Sequence, residues 1–198
     1  MQGFVNRAIQ CFVRDIYGED RWRQVVDAAQ LGFTNFEAML NYDPAVTERV
    51  LDALQDQLGT PRAALLEDLG TYLVSDRNME ALRRLLRFGG SDFEEFLLSL
   101  DELPDKARLA LPEFSLPSIS VSDIGGRHYL LNFGDGLPGF SFVMMGILRA
   151  MSDDYGALAL LEHRMGDAGP EILVILADAS FAAGRGFSLT PVGAVING

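Results

Sequence analysis

The feature that most constrains this chain is a change of period near Pro112 and Pro117. Before it, apolar residues recur at helical spacing; after it, they alternate as in strands. Phe4, Val5, Ala8, Ile9, Phe12, Val13 and Ile16 predict an amphipathic first helix that ends at Gly18. Glu19 and Asp20 open a second helix carrying Trp22, Val25, Val26 and Ala29, acids being favoured at the positive end of the helix dipole. Asp43-Pro44 reads as an N-cap with proline at the first helical position, and Thr60-Pro61 as the same device. Ser91-Asp92-Phe93-Glu94 reads as a capping box ahead of Phe96, Leu97 and Leu100.

Beyond the prolines, Ser118–Asp123 and His128–Phe133 predict a hairpin turning at Ile124–Arg127. An apolar helix follows from about Phe142 to Met151. A second hairpin then joins Ala157–Arg164 to Ile172–Ala177 around Gly166–Gly169. Helices followed by an antiparallel sheet define an α+β chain. The expected organisation is one domain over residues 1–178, with an N-terminal helical part over 1–60 and helices plus sheet over 61–178. Residues 179–198 form a tail rich in Gly, Ala and Ser, pinned by Phe181 or Phe187.

Charge and cysteine content narrow the function. With 16 Lys+Arg against 28 Asp+Glu the net charge is −12, so no basic stripe offers itself to nucleic acid or to an anionic membrane. Arg83, Arg84 and Arg87 cluster on one turn and are expected as a solvated face. The single cysteine, Cys11, makes neither an internal disulfide nor a cysteine zinc site, which predicts a reducing, cytoplasmic setting. The longest apolar run, Phe140 to Leu148, is far shorter than the ~20 residues that span a bilayer.

Catalytic patterns are scarce. Gly134, Gly136 and Gly139 satisfy G-x-G-x-x-G, but Pro138 and the antiparallel setting favour a connector over a dinucleotide site. His128 and His163 stand apart on strands and form no ligand pair. The acidic pairs Asp153-Asp154, Glu94-Glu95 and Glu67-Asp68 point apart on helices and read as solvated faces or helix starts. Met144-Met145 reads as core. These residues predict a chain that is not an enzyme.

The opening MQGFVNRAIQCFVRDIYGEDRW, the stretches AVTERVLDALQDQLGTPRAALLEDLGTYLV and GGSDFEEFLLSLDELPDKARLALPEFSLPSISV, and then RHYLLNF and GFSFVMMGILRAM resemble the haem–nitric oxide/oxygen binding (H-NOX, HNOB) family. The resemblance implies a helical subdomain in front of a small antiparallel sheet, with haem between them. It also implies nitric oxide sensing and signalling through a separate partner, such as a histidine kinase or a diguanylate cyclase. Pro104 stands at the family's proximal-histidine position, and a proline nitrogen cannot ligate iron. In the family's Tyr-x-Ser-x-Arg propionate motif this chain keeps Tyr129 but places Leu131 and Phe133 at the serine and arginine. Pro117 matches the proline that presses on the porphyrin.

Three readings follow. The first is a degenerate sensory module without histidine-ligated haem. The second is a haem protein with a substitute ligand drawn from His128, Met144, Met145, Met79 or Cys11, although alternation turns His128 away from the pocket side of Tyr129. The third is a binder of another apolar molecule in a pocket lined by Phe4, Leu97, Leu100, Pro117, Leu131, Phe133 and Met144. Both binding readings require a cavity between the first helix and the sheet, bordered by Pro104 and Pro117.

Overall fold

The computed structural model describes residues 3–110 and 115–184; Phe187 and the rest of the expected tail from residue 185 lie outside them. Eight helices are described: α1 (Gly3–Tyr17), α2 (Glu19–Ala28), α3 (Pro44–Leu58), α4 (Arg62–Ser75), α5 (Glu80–Arg87), α6 (Phe93–Leu98), α7 (Leu103–Ala110) and α8 (Phe140–Tyr155). The strands are β1 (Ile119–Gly125), β2 (His128–Phe133), β3 (Leu158–Gly166) and β4 (Gly169–Asp178). They form one antiparallel sheet in the order β1-β2-β4-β3, with α8 crossing between its two hairpins. The α+β architecture is therefore the expected one. The last helix is longer than its apolar stretch implied because Gly139 and Gly156, both left-handed, set its ends.

Local chemistry explains most boundaries. Gly18 turns with φ 90°, where a side chain would be strained, and so ends α1. The Asp43 carboxylate accepts from the Ala45 N–H at 2.9 Å, the expected cap. Thr60 does not repeat it: its hydroxyl donates back to the Leu58 carbonyl, and Pro61 takes the cap position without a side-chain bond. The capping box is shifted by one residue. Asp92 accepts from the Glu95 N–H at 2.9 Å, while Glu95 reaches back to the N–H and hydroxyl of Ser91 at 2.8 Å each.

The front core gathers Phe12, Val13, Trp22, Phe36, Leu54 and Leu65 from the first four helices and the loop after α2. Trp22 is fully buried, with its indole N–H donating to the Thr34 carbonyl at 2.7 Å. The second core lies between the sheet and helices α6 and α8, with Phe93, Phe96, Tyr129, Leu131, Leu148 and Val174 at its centre. Helices α4 and α8 join the two cores and cross at glycines. A Cβ on Gly70 would sit 2.0 Å from the Val143 carbonyl oxygen, and one on Gly146 would sit 1.9 Å from that of Glu67. The backbones touch because neither helix carries a side chain there.

The arginines of α5 are not a solvated face. Arg83 holds Asp154 through two 2.7 Å bonds, Arg84 pairs with Glu80, and Arg87 lies over the Tyr155 ring at 3.8 Å. The acidic pairs are also engaged: Glu67 pairs with Arg149, Asp154 is buried, and Glu95 accepts from the N–H and hydroxyl of Ser91. The segment after β4 is tied by its backbone, the Ala182 N–H donating to the Gly156 carbonyl at 3.0 Å, while the expected anchor Phe181 is exposed.

His163, on the edge strand β3, stacks on Phe142 at 4.1 Å and bonds Ser141 Oγ through Nε2 at 2.8 Å, pinning the start of α8. Burial holds its pKa below the ordinary histidine value. The unfolded chain therefore takes up this proton first as the pH falls below ~6.5, and stability drops until the folded-state pKa is passed. His163→Gln is expected to flatten this part of the stability–pH curve between pH 7 and 5, as read by urea unfolding. An unchanged curve would contradict the assignment.

Candidate functional site

Helices α1, α3, α4, α5, α7 and α8 enclose a cavity of about 330 Å³. Phe4, Ala8 and Ile9 come from α1; Leu66, Leu69 and Leu73 from α4; Phe140, Val143, Met144 and Ile147 from α8. Leu82 and Leu85 of α5, Leu103 and Ala107 of α7, Leu116, and the Leu137-Pro138 loop complete it. Thr47 and Glu48 of α3 are its only polar side chains among the described residues. Glu48 is already paired with Arg62 at 2.5 Å, and Arg62 also holds Asp52 at 2.6 Å. Donating to the Glu48 carboxylate raises the Arg62 pKa above its ordinary value.

A volume of this size falls within the range of small-molecule sites, ~300–1,000 Å³. Left empty, it forfeits packing on the order of several kcal/mol at ~24 cal/mol per Å³, against a total domain stability of only ~5–15 kcal/mol. Apolar contents are the natural way to recover that loss.

The border differs from the expected one by a single residue at two places. Leu103 and Leu116, not Pro104 and Pro117, line the cavity. Pro104 is the second residue of α7, half-buried, and α7 follows a 3-10 turn over Ser99–Glu102 in which Asp101 lies, so Asp101 is no simple N-cap. Pro117 is buried, and a Cβ on Gly136 would meet its Cγ at 2.9 Å. The far wall is α8, not the sheet. Of the expected lining residues, Phe4 and Met144 face the cavity. Leu97, Leu100, Leu131 and Phe133 belong to the core beneath the sheet instead.

Tyr129 is also in that core. Burial, and then its hydrogen bond to Glu94, push its hydroxyl up to about 12. The hydroxyl is thus a committed neutral donor to Glu94. His128 faces the other side of β2, its Nδ1 against the Gly126 carbonyl at 2.8 Å. Met145, Met79 and Cys11 pack outside the cavity walls, leaving the Met144 thioether as the sole nitrogen or sulfur side-chain donor among the described lining residues.

A haem needs an axial ligand on iron and partners for two propionates. Among the described residues the lining includes no histidine, cysteine, tyrosine, lysine or arginine, and Glu48 carries the wrong charge for a propionate. This donor set does not fit a haem held through histidine and a basic clamp. Among the described residues no group of three or more His, Cys, Asp or Glu could hold a metal ion, and no helix is long and apolar enough to cross a membrane.

A helical front packed on a four-stranded antiparallel sheet, with an apolar ligand-sized cavity between α1 and α8, defines an α+β domain built around a small-molecule-sized cavity. The Haem-NO-binding family model matches residues 2–162, and the chain belongs to that family. Its fold is that of solved H-NOX proteins. The Fe(II) unliganded H-NOX protein from K. algicida superposes with a TM-score of 0.75 at 13% identity, over 92% of this chain and 100% of that one. The H-NOX protein from S. oneidensis in the Fe(II)NO ligation state gives 0.73 at 16% identity, over 90% and 100%. Among curated relatives, soluble guanylate cyclase gcy-31 of Caenorhabditis elegans is 23% identical over 154 residues, 78% of this chain and 22% of that protein. Guanylate cyclase soluble subunit beta-2 of Rattus norvegicus is 28% identical over 92 residues, 46% of this chain and 14% of that protein. This chain therefore spans about a fifth or less of the length of these cyclases.

Proposed function

We propose that the chain is a sensory module of the H-NOX type that works without histidine-ligated haem, is not itself catalytic, and passes its signal to a separate partner protein. The partner classes implied by the family resemblance are histidine kinases and diguanylate cyclases, reached in a reducing, cytoplasmic setting. Residues 1–178 form the sensing unit in this reading. The observation that carries it is the cavity wall itself: Leu103 beside Pro104 where iron would need an imidazole, and no cation where propionates would need one.

The test is an absorption spectrum of protein expressed with haem precursor, oxidised and reduced, with and without nitric oxide. A folded protein without a stoichiometric Soret band is expected. A sharp band that shifts with nitric oxide would overturn the reading. A second reading, haem held by a substitute ligand, is favoured by one residue only: Met144 is fully buried and lines the cavity. Should a band appear, Met144→Leu would abolish it if the thioether is the ligand, and His128→Ala would leave it intact.

A further inference from the structure

We infer that the cavity between α1, α4, α7 and α8 is a binding site for an uncharged, lipophilic small molecule about the size of two rings. The inference rests on the reading that no haem occupies it, and deepens that reading by naming the ligand class.

Size comes first. An apolar cavity of ~150 Å³ accepts a benzene, and this one is about 330 Å³. Polarity comes second. Among the described residues, the walls contributed by α1, α4, α5, α7 and α8 are aliphatic or aromatic at every lining position except Met144, whose thioether is only a weak acceptor. A ligand carboxylate would be desolvated there without a cation, since the nearby Arg62 is committed to Glu48 and Asp52. A ligand ammonium would have to compete with Arg62 for Glu48. Neutral apolar molecules meet neither obstacle. Access comes third. Leu85 and Pro138 line the cavity and also reach solvent, so the rim lies between α5 and the loop after β2. The Thr47 hydroxyl donates to Asn6 Oδ1 at 2.6 Å, which occupies the wall's one free hydroxyl and leaves hydrophobic contact to carry affinity.

The probe is 1-naphthylamine, a two-ring fluorophore that is neutral at pH 7, titrated into the whole chain. Saturable one-to-one binding in the micromolar range is expected, with displacement by naphthalene and not by dodecanoate. Ala8→Phe and Ala107→Phe, which place rings into the cavity from α1 and α7, should each weaken binding at least tenfold. Leu160→Ser, on an exposed position of β3, should leave it unchanged. Circular dichroism of each variant checks folding, and the naphthalene competition decides on the wild-type chain alone if a filled variant fails to fold. Absence of saturable binding to folded, colourless protein would overturn the inference and leave the haem-free reading standing. Undiminished binding to both folded, filled variants would overturn it as well, as would equally tight binding of dodecanoate. A Soret band at full stoichiometry would sink the underlying reading instead.

Discussion

Asp154→Ala is expected to lower the stability of the chain by about 3 kcal/mol, seen as a shift of the urea midpoint at unchanged m-value. Asp154 is 3% exposed near the end of α8, and both of its oxygens accept from Arg83 of α5 at 2.7 Å. Removing the carboxylate leaves a half-buried guanidinium without its counter-charge, which costs far more than a surface pair, worth ~0.2–1 kcal/mol. The pair ties α5, whose Leu82, Leu85 and Leu86 wall one side of the cavity, to α8, whose Phe140, Val143 and Met144 wall another. Replacing both partners, Arg83→Leu with Asp154→Leu, should recover part of the loss, because no charge is then stranded. A single variant within 1 kcal/mol of wild type would show that the clamp contributes nothing. A double variant as damaged as the sum of the singles would show that the two side chains act independently.

The ion pair also shows where sequence reasoning stops. Helix and strand order was readable because its signals are local: apolar spacing, Asp43-Pro44, the turn at Gly125-Gly126, and the loop glycines up to Gly139. Arg83 and Asp154 are 71 residues apart, and nothing nearby marks either as a partner, so each looks like an ordinary surface charge. The bond between Tyr129 and Glu94 is hidden for the same reason.

The cavity border was nearly legible. Position within α7 and in the approach to β1 puts Leu103 and Leu116 on its wall, each one residue before the proline that the family pattern singles out. What could not be read was depth. The alternation of β2 correctly separates Tyr129, Leu131 and Phe133 from His128. It does not reveal that those three residues pack in the core beneath the sheet and not on the cavity wall. A count of lining types would have helped: α4 and α8 both present apolar residues on more than one face, the pattern of helices buried against two layers.

The crossing of α4 and α8 gives the largest structural effect, and its cause is two mid-helix glycines that look like a cost on propensity grounds. Gly→Ala inside a helix gains ~1 kcal/mol in propensity. At Gly146 the new methyl would lie 1.9 Å from the Glu67 carbonyl oxygen and 2.7 Å from the Thr71 nitrogen. Both are backbone atoms of α4 and cannot rotate away, so the helices must separate. The strain exceeds the propensity gain, and Gly146→Ala is expected to cost about 3 kcal/mol net, or roughly 6–12 °C in Tm for a chain of this length. Gly70→Ala should behave alike, its Cβ meeting the Val143 carbonyl oxygen at 2.0 Å. The two losses should not add, because helices parted by the first methyl make room for the second. Function should suffer before the fold does. Leu66, Leu69 and Leu73 of α4 and Phe140, Val143, Met144 and Ile147 of α8 form adjoining walls of the cavity. Parting them loosens every contact with an apolar ligand, so naphthylamine binding should weaken at temperatures where circular dichroism still reports a folded protein. Unchanged Tm and unchanged probe affinity in Gly146→Ala would mean that the two backbones do not approach as described, and the cavity would then need a different wall.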